Sequence, residues 1–180
     1  KTSTDVEVIL HLYEDMGEKC FGELRGMFAV AIWDAPRGRL VLARDHMGQK
    51  PVFFASRGGD FAFGSEPKAV LASGIAERKI DLEGLWHYMS LRYLPDDRSL
   101  FEGVRKLPAA CYAVWEGGSI TVRPYWHLNT FKDKLDGTEK ELTEALEKLL
   151  LVTIELHLLS DVPVGTFLSG GIDSSLITAM

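Results

Sequence analysis

A seven-residue run near the C-terminal end, rich in serine and glycine and containing one aspartate, constrains the fold of this chain most strongly. The run is SGGIDSS at 169–175. It follows an apolar segment, 162–168, which predicts a short buried strand, and it precedes residues 176–180, which predict the opening of a helix. The sequence therefore predicts a strand, a glycine-rich loop and a helix in succession.

This loop has the composition of a phosphate site. Gly170 and Gly171 allow the backbone to approach a ligand closely, and the N-terminus of the following helix favours an anion. Three hydroxyl donors accompany the glycines: Ser169, Ser174 and Ser175. Asp173 would repel phosphate unless a divalent cation lay between them, so we predict a Mg²⁺-bound nucleotide. The alternative is a serine-capped helix start in which Asp173 merely complements the helix dipole.

Length, charge and cysteine content limit the class of protein. The 180 residues allow one large domain or parts of two, and the net charge of −6 argues against nucleic-acid binding. Charged residues interrupt every apolar run before the ~20 residues that a membrane span needs. Cys20 and Cys111 are too few for a disulfide framework and lack metal-site spacing, so we expect two buried thiols in a reducing cytoplasm.

The first two thirds of the chain predict antiparallel hairpins. Between residues 27 and 63, short apolar segments alternate with turns rich in glycine, proline and aspartate. Residues 27–33 form an almost continuous apolar run, which is typical of a strand covered on both faces. A further hairpin is predicted over 111–123.

A domain boundary is predicted at 129–137, which is polar, charged and ends in glycine. Beyond it, Thr138 and Glu141 have the spacing of a capping box that starts a helix reaching about His157. The predicted buried stripe of this helix consists of Leu142, Leu146, Leu149, Leu150 and Thr153.

Two polar features in the first two thirds of the chain, Asp5 and the cluster at 44–46, can each be interpreted as functional or as structural. Residues 5–16 predict an amphipathic helix, and the helix dipole alone would explain Asp5 in its first turn. Arg44, Asp45 and His46 suggest base catalysis, but adjacent residues in a turn rarely face one another. We therefore expect a structural role in ion pairs and hydrogen bonds for this cluster.

The SGGIDSS run resembles the pyrophosphate-binding loop of the ATP pyrophosphatases, and SDVPVG at 160–165 narrows the resemblance to glutamine-hydrolysing asparagine synthetases. The segments LRGMFA at 24–29, ARDHMG at 43–48 and SEPKAV at 65–70 resemble the second half of a class II glutaminase. The resemblance implies the C-terminal half of an α+β N-terminal-nucleophile-type sandwich at 1–128 and a linker at 129–137. It further implies the start of a doubly wound parallel α/β ATP-pyrophosphatase domain at 138–180.

The resemblance also implies a function. In this family glutamine supplies ammonia, ATP and Mg²⁺ convert the aspartate side chain to an acyl-adenylate, and ammonia then yields asparagine. Asp5 would hold the amino group of glutamine, and Asp173 would meet the metal. The nucleotide-binding residues would be Phe167, Ser169, Gly170, Gly171, Asp173, Ser174 and Ser175. Glutamine, aspartate and ATP are therefore the expected partners, without nucleic acid or membrane, and we expect a homodimer of the full-length protein.

The family's catalytic nucleophile is an N-terminal cysteine, and neither Cys20 nor Cys111 can be that residue. The chain starts at Lys1 ahead of one predicted helix and stops at Met180 inside another. We therefore expect an internal piece of a longer enzyme, inactive by itself. Two alternatives stay open: a relative that forms another amide or a β-lactam and keeps a relic glutaminase domain, and a non-catalytic binding module.

Overall fold

The computed structural model describes residues 4–95, 97–128 and 134–180, and the chain divides into two units, Lys1–Leu128 and Asn129–Met180. Of the predicted linker, residues 129–133 lie outside the described residues, and 134–137 form no helix or strand. No helix in the described part of the chain is both long enough and apolar enough to cross a membrane.

The first unit has mixed α+β content. Its described helices are α1 (Asp5–Met16), α2 (Pro67–Ala72) and α3 (Leu82–Leu91). Its strands are β1 (Ala29–Asp34), β2 (Arg39–Arg44), β3 (Phe53–Arg57), β4 (Asp60–Gly64), β5 (Arg105–Lys106), β6 (Cys111–Glu116) and β7 (Ser119–Pro124). Short 3₁₀ helices occupy Gly17–Gly22 and Ala35–Arg37.

The strands form two antiparallel sheets, one in the order β1-β2-β6-β7 and the other in the order β4-β3-β5. Each of the predicted hairpins is present: β1 pairs with β2, β3 with β4, and β6 with β7. The turn residues explain this agreement, since Gly38, Gly58 and Gly117 have the left-handed backbone that tight reversals require. The antiparallel architecture is therefore largely a consequence of local turn chemistry.

Three apolar clusters hold the layers of this unit together. Tyr13 of α1 packs with Val41 and Ala43 on one face of the first sheet. Leu42, on the opposite face of the same strand, packs with Phe54 of the second sheet. The other face of the second sheet packs on α2 through a third cluster. Burying a side chain such as Leu42 stabilises the fold by about 2 kcal/mol.

The strand that is covered on both faces is β2, not the predicted 27–33 segment. β1 lies at the edge of its sheet, where Ile32 is buried but the neighbouring Trp33 is 59% exposed. The apolar run therefore overstated the burial of β1, because among the described residues nothing covers its second face. In β2, by contrast, three consecutive residues from Val41 to Ala43 are buried.

The second unit contains α4 (Glu139–His157) and α5 (Ile172–Ala179) among its described residues. The predicted capping box is present: the Thr138 hydroxyl accepts from the backbone N–H of Glu141, and the Glu141 carboxylate accepts from the backbone N–H of Thr138. The predicted burial of the α4 stripe was wrong, because no side chain within 134–180 is buried. No residue of α4 belongs to any of the three apolar clusters.

The strand predicted over 162–168 was also wrong. These residues are exposed and belong to no strand. A β-strand needs a neighbour for its backbone hydrogen bonds, and the described part of the second unit offers none.

Candidate functional site

The glycine-rich loop leads directly into α5, but the helix begins at Ile172, inside the SGGIDSS run and before the opening predicted at 176–180. Gly171 occupies the N-cap of the helix, and its carbonyl accepts the backbone N–H of Ser175 at 3.0 Å. The first backbone N–H groups of a helix have no partner within the helix. Those of Ile172, Asp173 and Ser174 therefore lie at the helix start, where the helix dipole favours an anion.

Two serine side chains tie the loop to the first turn of α5. The hydroxyl oxygens of Ser169 and Ser174 lie 3.0 Å apart, and Ser174 donates to the carbonyl of Gly171 at 3.1 Å. Since the proton of Ser174 is directed at that carbonyl, Ser169 donates the bond between the two hydroxyls. A phosphate oxygen at this position would compete for these hydroxyl protons.

The two loop glycines differ in whether their backbone conformation requires a glycine. Gly170 has φ +79°, in the left-handed region that L side chains rarely adopt. Gly171 has φ −80°, and a Cβ built there would lie 3.5 Å from the Ser169 hydroxyl, which is ordinary contact. The fold therefore explains a glycine at 170 but not at 171, where a closely approaching ligand would explain it.

The remaining predicted nucleotide residues lie at the same end of the second unit. Asp173 and Ser175 are in the first turn of α5, and Phe167 precedes the loop with its side chain 99% exposed. The hydroxyl of Thr178 donates to that of Thr166 at 3.3 Å, which ties the segment before the loop to α5. All seven predicted residues therefore fall within one stretch of nine positions, which is exposed except at the half-buried Ser174.

The loop offers a magnesium ion one carboxylate, that of Asp173. No cluster of three or more His, Cys, Asp or Glu side chains capable of holding a metal occurs among the described residues. Mg²⁺ typically uses one or two protein carboxylates together with substrate phosphates. The exposed carboxylate of Asp173 beside the hydroxyl groups fits that arrangement.

Asp5 lies in the other unit and in the first turn of α1, where its side chain is exposed. Helix α1 begins at the predicted residue, but only part of its apolar periodicity is buried. Tyr13 is buried, with Ile9 and Leu12 partly buried beside it, whereas Val6 and Leu10 are exposed. The anchored part of the helix is therefore its second half.

A polar network that the sequence did not single out surrounds the far end of α1. Asp34, at the end of β1, is buried, and its Oδ2 accepts from Tyr13 Oη at 2.9 Å, Arg37 Nη1 at 2.9 Å and Arg39 Nε at 3.1 Å. Arg39 Nη2 also donates to Tyr13 Oη at 2.8 Å. No local signal in the sequence distinguishes Tyr13 from an apolar position of the helix or Asp34 from an ordinary turn residue.

The electrostatics of this network follow from its geometry. Hydrogen bonds from Arg37, and then from Arg39 and Tyr13, hold the pKa of Asp34 well below its usual value, although burial opposes the shift. Burial, reinforced by the hydrogen bond to Asp34, raises the pKa of Tyr13 to about 12. The carboxylate and the phenol therefore keep one protonation state each over the physiological range.

The Arg44–Asp45–His46 cluster is structural, as expected. Asp45 is fully buried and accepts backbone N–H groups of the following turn, while Arg44 donates to the carbonyls of Lys50 and Leu107 at 2.8 Å each. The ring of His46 packs edge-on against Tyr125. Asp45 therefore has the predicted structural role, and it fulfils this role by accepting hydrogen bonds from the backbone.

Both cysteines are buried free thiols. Burial raises the pKa of Cys20 to about 11, and it also raises the pKa of Cys111. Because the thiolate is the nucleophilic form, neither residue is suited to nucleophilic catalysis at neutral pH. This agrees with the expectation that both are inert core residues.

Comparisons with known proteins place the chain in a family. Residues 1–126 match a family model described as a glutamine amidotransferase domain, and residues 145–180 match one described as asparagine synthase. Glutamine-hydrolysing asparagine synthetases 3 and 1 of Bacillus subtilis are each 36% identical to the chain over 99% of its length. A Gibberella zeae protein named amidase chry2 is 34% identical over 99% of the chain.

The chain spans 29% and 28% of the two Bacillus relatives and 26% of the Gibberella protein. The two family matches occur in the same order as the two units, and together they cover nearly the whole sequence. The chain therefore belongs to the family of glutamine-hydrolysing asparagine synthetases and joins a glutamine amidotransferase domain to a segment of asparagine synthase.

Proposed function

We propose that this chain is part of an ATP-dependent amidotransferase that forms asparagine from aspartate and glutamine. The observation that carries the proposal is the order of its parts: an amidotransferase domain is followed in one chain by a serine-glycine loop at a helix start. The first domain would adopt the N-terminal-nucleophile sandwich. The second would begin a parallel α/β ATP-pyrophosphatase domain.

The proposed reaction has two stages. A carboxylate oxygen of aspartate attacks the α-phosphorus of ATP, and the bond to pyrophosphate breaks. Ammonia from glutamine then attacks the acyl carbon, and AMP leaves with the carboxylate oxygen. Ser169, Ser174, Ser175 and the free N–H groups of α5 would bind the pyrophosphate, because donors fixed in advance stabilise developing charge. Mg²⁺, held by Asp173, would neutralise the phosphates.

Asp5 would bind the α-amino group of glutamine in the first domain. Its exposed carboxylate in the first turn of α1 can reach a ligand, which supports this role without distinguishing it from a dipole contact. The further parts of the proposal are a cytoplasmic location, consistent with two free thiols, and a homodimer of the full-length protein.

The nucleotide site is tested by calorimetric titration of the full-length protein with Mg²⁺–ATP. Asp173→Ala should weaken binding roughly tenfold or more, the effect of losing one charged interaction of about 1.5–3 kcal/mol. Gly171→Ala should also weaken binding, because its Cβ makes only ordinary contacts within the protein but would crowd a closely approaching ligand. The exposed Asp136→Ala serves as the matched control and should bind like the parent.

AMP, pyrophosphate and asparagine are measured in the same samples. Unimpaired AMP formation by Asp173→Ala would refute the loop assignment. An absence of any heat in the parent protein would favour a non-catalytic module.

A second candidate is an adenylating enzyme that forms another amide or a β-lactam. This candidate is supported by two fungal relatives that are named amidases and are 34% and 33% identical to the chain. Formation of AMP without asparagine, in a full-length protein that lacks cysteine after the initiator methionine, would support this candidate instead.

A further inference from the structure

Helix α1 is anchored at one end and carries the proposed glutamine ligand at the other. Tyr13 is buried to 6% exposure, whereas Val6 and Val8 near the start of the helix are 59% and 57% exposed. Asp5 lies eight residues before Tyr13, which corresponds to about 12 Å along the helix axis. A tilt of about five degrees at the anchor would therefore move Asp5 by about 1 Å.

Apolar packing alone does not fix the rotation of a helix about its axis, because it is not directional. Hydrogen bonds are directional, and Tyr13 Oη takes part in two: it donates to Asp34 and accepts from Arg39. These two partners lie at the end of β1 and the start of β2. The orientation of α1 is therefore tied to the turn that joins these strands.

Arg39 and Arg37 make the anchor rigid. Arg39 Nη2 also reaches Glu18 Oε1 at 2.7 Å in the 3₁₀ segment that follows α1. Arg37 binds Asp34 through its backbone N–H at 3.3 Å and through its guanidinium. One buried carboxylate therefore joins the helix, the segment after it and the hairpin turn.

We propose that the Tyr13–Asp34–Arg39 network is a positioning device for glutamine binding, which sets the orientation of α1 and so the place where Asp5 meets the amino group of glutamine. The inference rests on the proposed function of Asp5. Tyr13 acts through Asp5 and touches no substrate. Since misplacement of a binding group by about 1 Å is costly, loss of the anchor should affect glutamine use selectively.

The test is Tyr13→Phe in the full-length protein, which removes the hydroxyl and keeps the ring in the core. We expect the KM for glutamine to rise about fivefold, the equivalent of one lost hydrogen bond. Ammonia-dependent synthesis, which bypasses glutamine, should keep its kcat and KM. The variant Asp5→Ala should raise the same KM and should make the further change Tyr13→Phe nearly silent.

Tyr125→Phe is the matched control. Tyr125 also contributes to the core around Phe21, and its hydroxyl donates to the carbonyl of Arg44 at 2.8 Å, outside the Tyr13–Asp34–Arg39 network. Tyr125→Phe therefore also removes the hydroxyl of a core tyrosine but leaves the Tyr13–Asp34–Arg39 network intact. An equal rise in KM for both variants would overturn the positioning role and leave the proposed function intact. If Tyr13→Phe raised the KM for glutamine but the separate variant Asp5→Ala did not, the link between Tyr13 and Asp5 would be overturned.

Discussion

Arg44 and Asp45 illustrate how charged residues serve the backbone of this fold. Asp45 accepts the N–H groups of Met47, Gln49 and Lys50 at 2.9–3.2 Å. Burial alone would raise the pKa of Asp45, but these N–H groups together hold it below its usual value. The ionised carboxylate therefore organises the turn between β2 and β3.

Replacing this carboxylate should destabilise the protein in a pH-dependent way. Asp45→Asn should lower the free energy of unfolding by about 3 kcal/mol at pH 7, because hydrogen bonds to a charged acceptor are lost. The folded-state pKa lies below the unfolded value of about 4, so the carboxylate stabilises the fold above that pH. The stability that it provides is lost as the pH falls through the folded pKa.

The difference between parent and Asp45→Asn should therefore shrink on acidification. This difference in the free energy of unfolding is measured by urea denaturation at several pH values between 7 and 3, with tryptophan fluorescence as the signal. Asp60→Asn, at an exposed hairpin position, should stay within about 0.5 kcal/mol of the parent. A difference that is independent of pH would contradict the role of the ionised form.

At the scale of elements, two turns with similar backbone angles differ in their surroundings. Gly38 follows β1 with φ +61°, and a Cβ there would meet nothing within 4 Å. Gly48 has φ +66°, and its Cβ would lie 2.9 Å from both the Ala109 Cβ and the Arg44 Cζ. The first glycine is needed for its conformation, and the second also for space.

Alanine substitutions separate these two requirements. Gly38→Ala should cost about 1–2 kcal/mol, the penalty for a left-handed L residue. Gly48→Ala should cost a further 1–3 kcal/mol, because it also forces Ala109 or Arg44 to shift. The free energies of unfolding in urea give both values, and equal costs would mean that the packed side chains yield freely.

Local signals explain which elements could be predicted. The start of α4 was predictable from Thr138 and Glu141, and the β6–β7 hairpin from its glycine turn, because neighbouring residues decide these features. The lack of a strand at 162–168 was not predictable, because a strand depends on a partner that sequence proximity does not supply. The sequence could predict that the residues from Ser169 to Ser175 lie close together, because they are consecutive along the chain.

At the scale of the molecule, the two units differ in how much they bury. The first contains three apolar clusters, whereas no described side chain of the second is buried. All four tryptophans, at positions 33, 86, 115 and 126, belong to the first unit. Tryptophan fluorescence therefore reports on the first unit, and circular dichroism at 222 nm reports on the helices of both.

We expect the two probes to give different unfolding curves for this chain. Helical signal from α4 and α5 should decrease at lower urea concentrations than the fluorescence changes, because helices without tertiary packing are marginal in water. Coincident curves would indicate a single cooperative unit instead. Addition of Mg²⁺–ATP leaves the fluorescence curve unchanged if the ligand binds the second unit alone.

The sequence by itself determined the hairpins, the starts of α1 and α4, and the contiguous glycine loop, because each depends on residues close together along the chain. Tertiary structure decided which strand is buried on both faces and which face of α1 is anchored. It also brought Tyr13, Asp34 and Arg39 together from separate elements. A burial pattern or a polar network depends on what packs against a residue, and no local pattern contains that information.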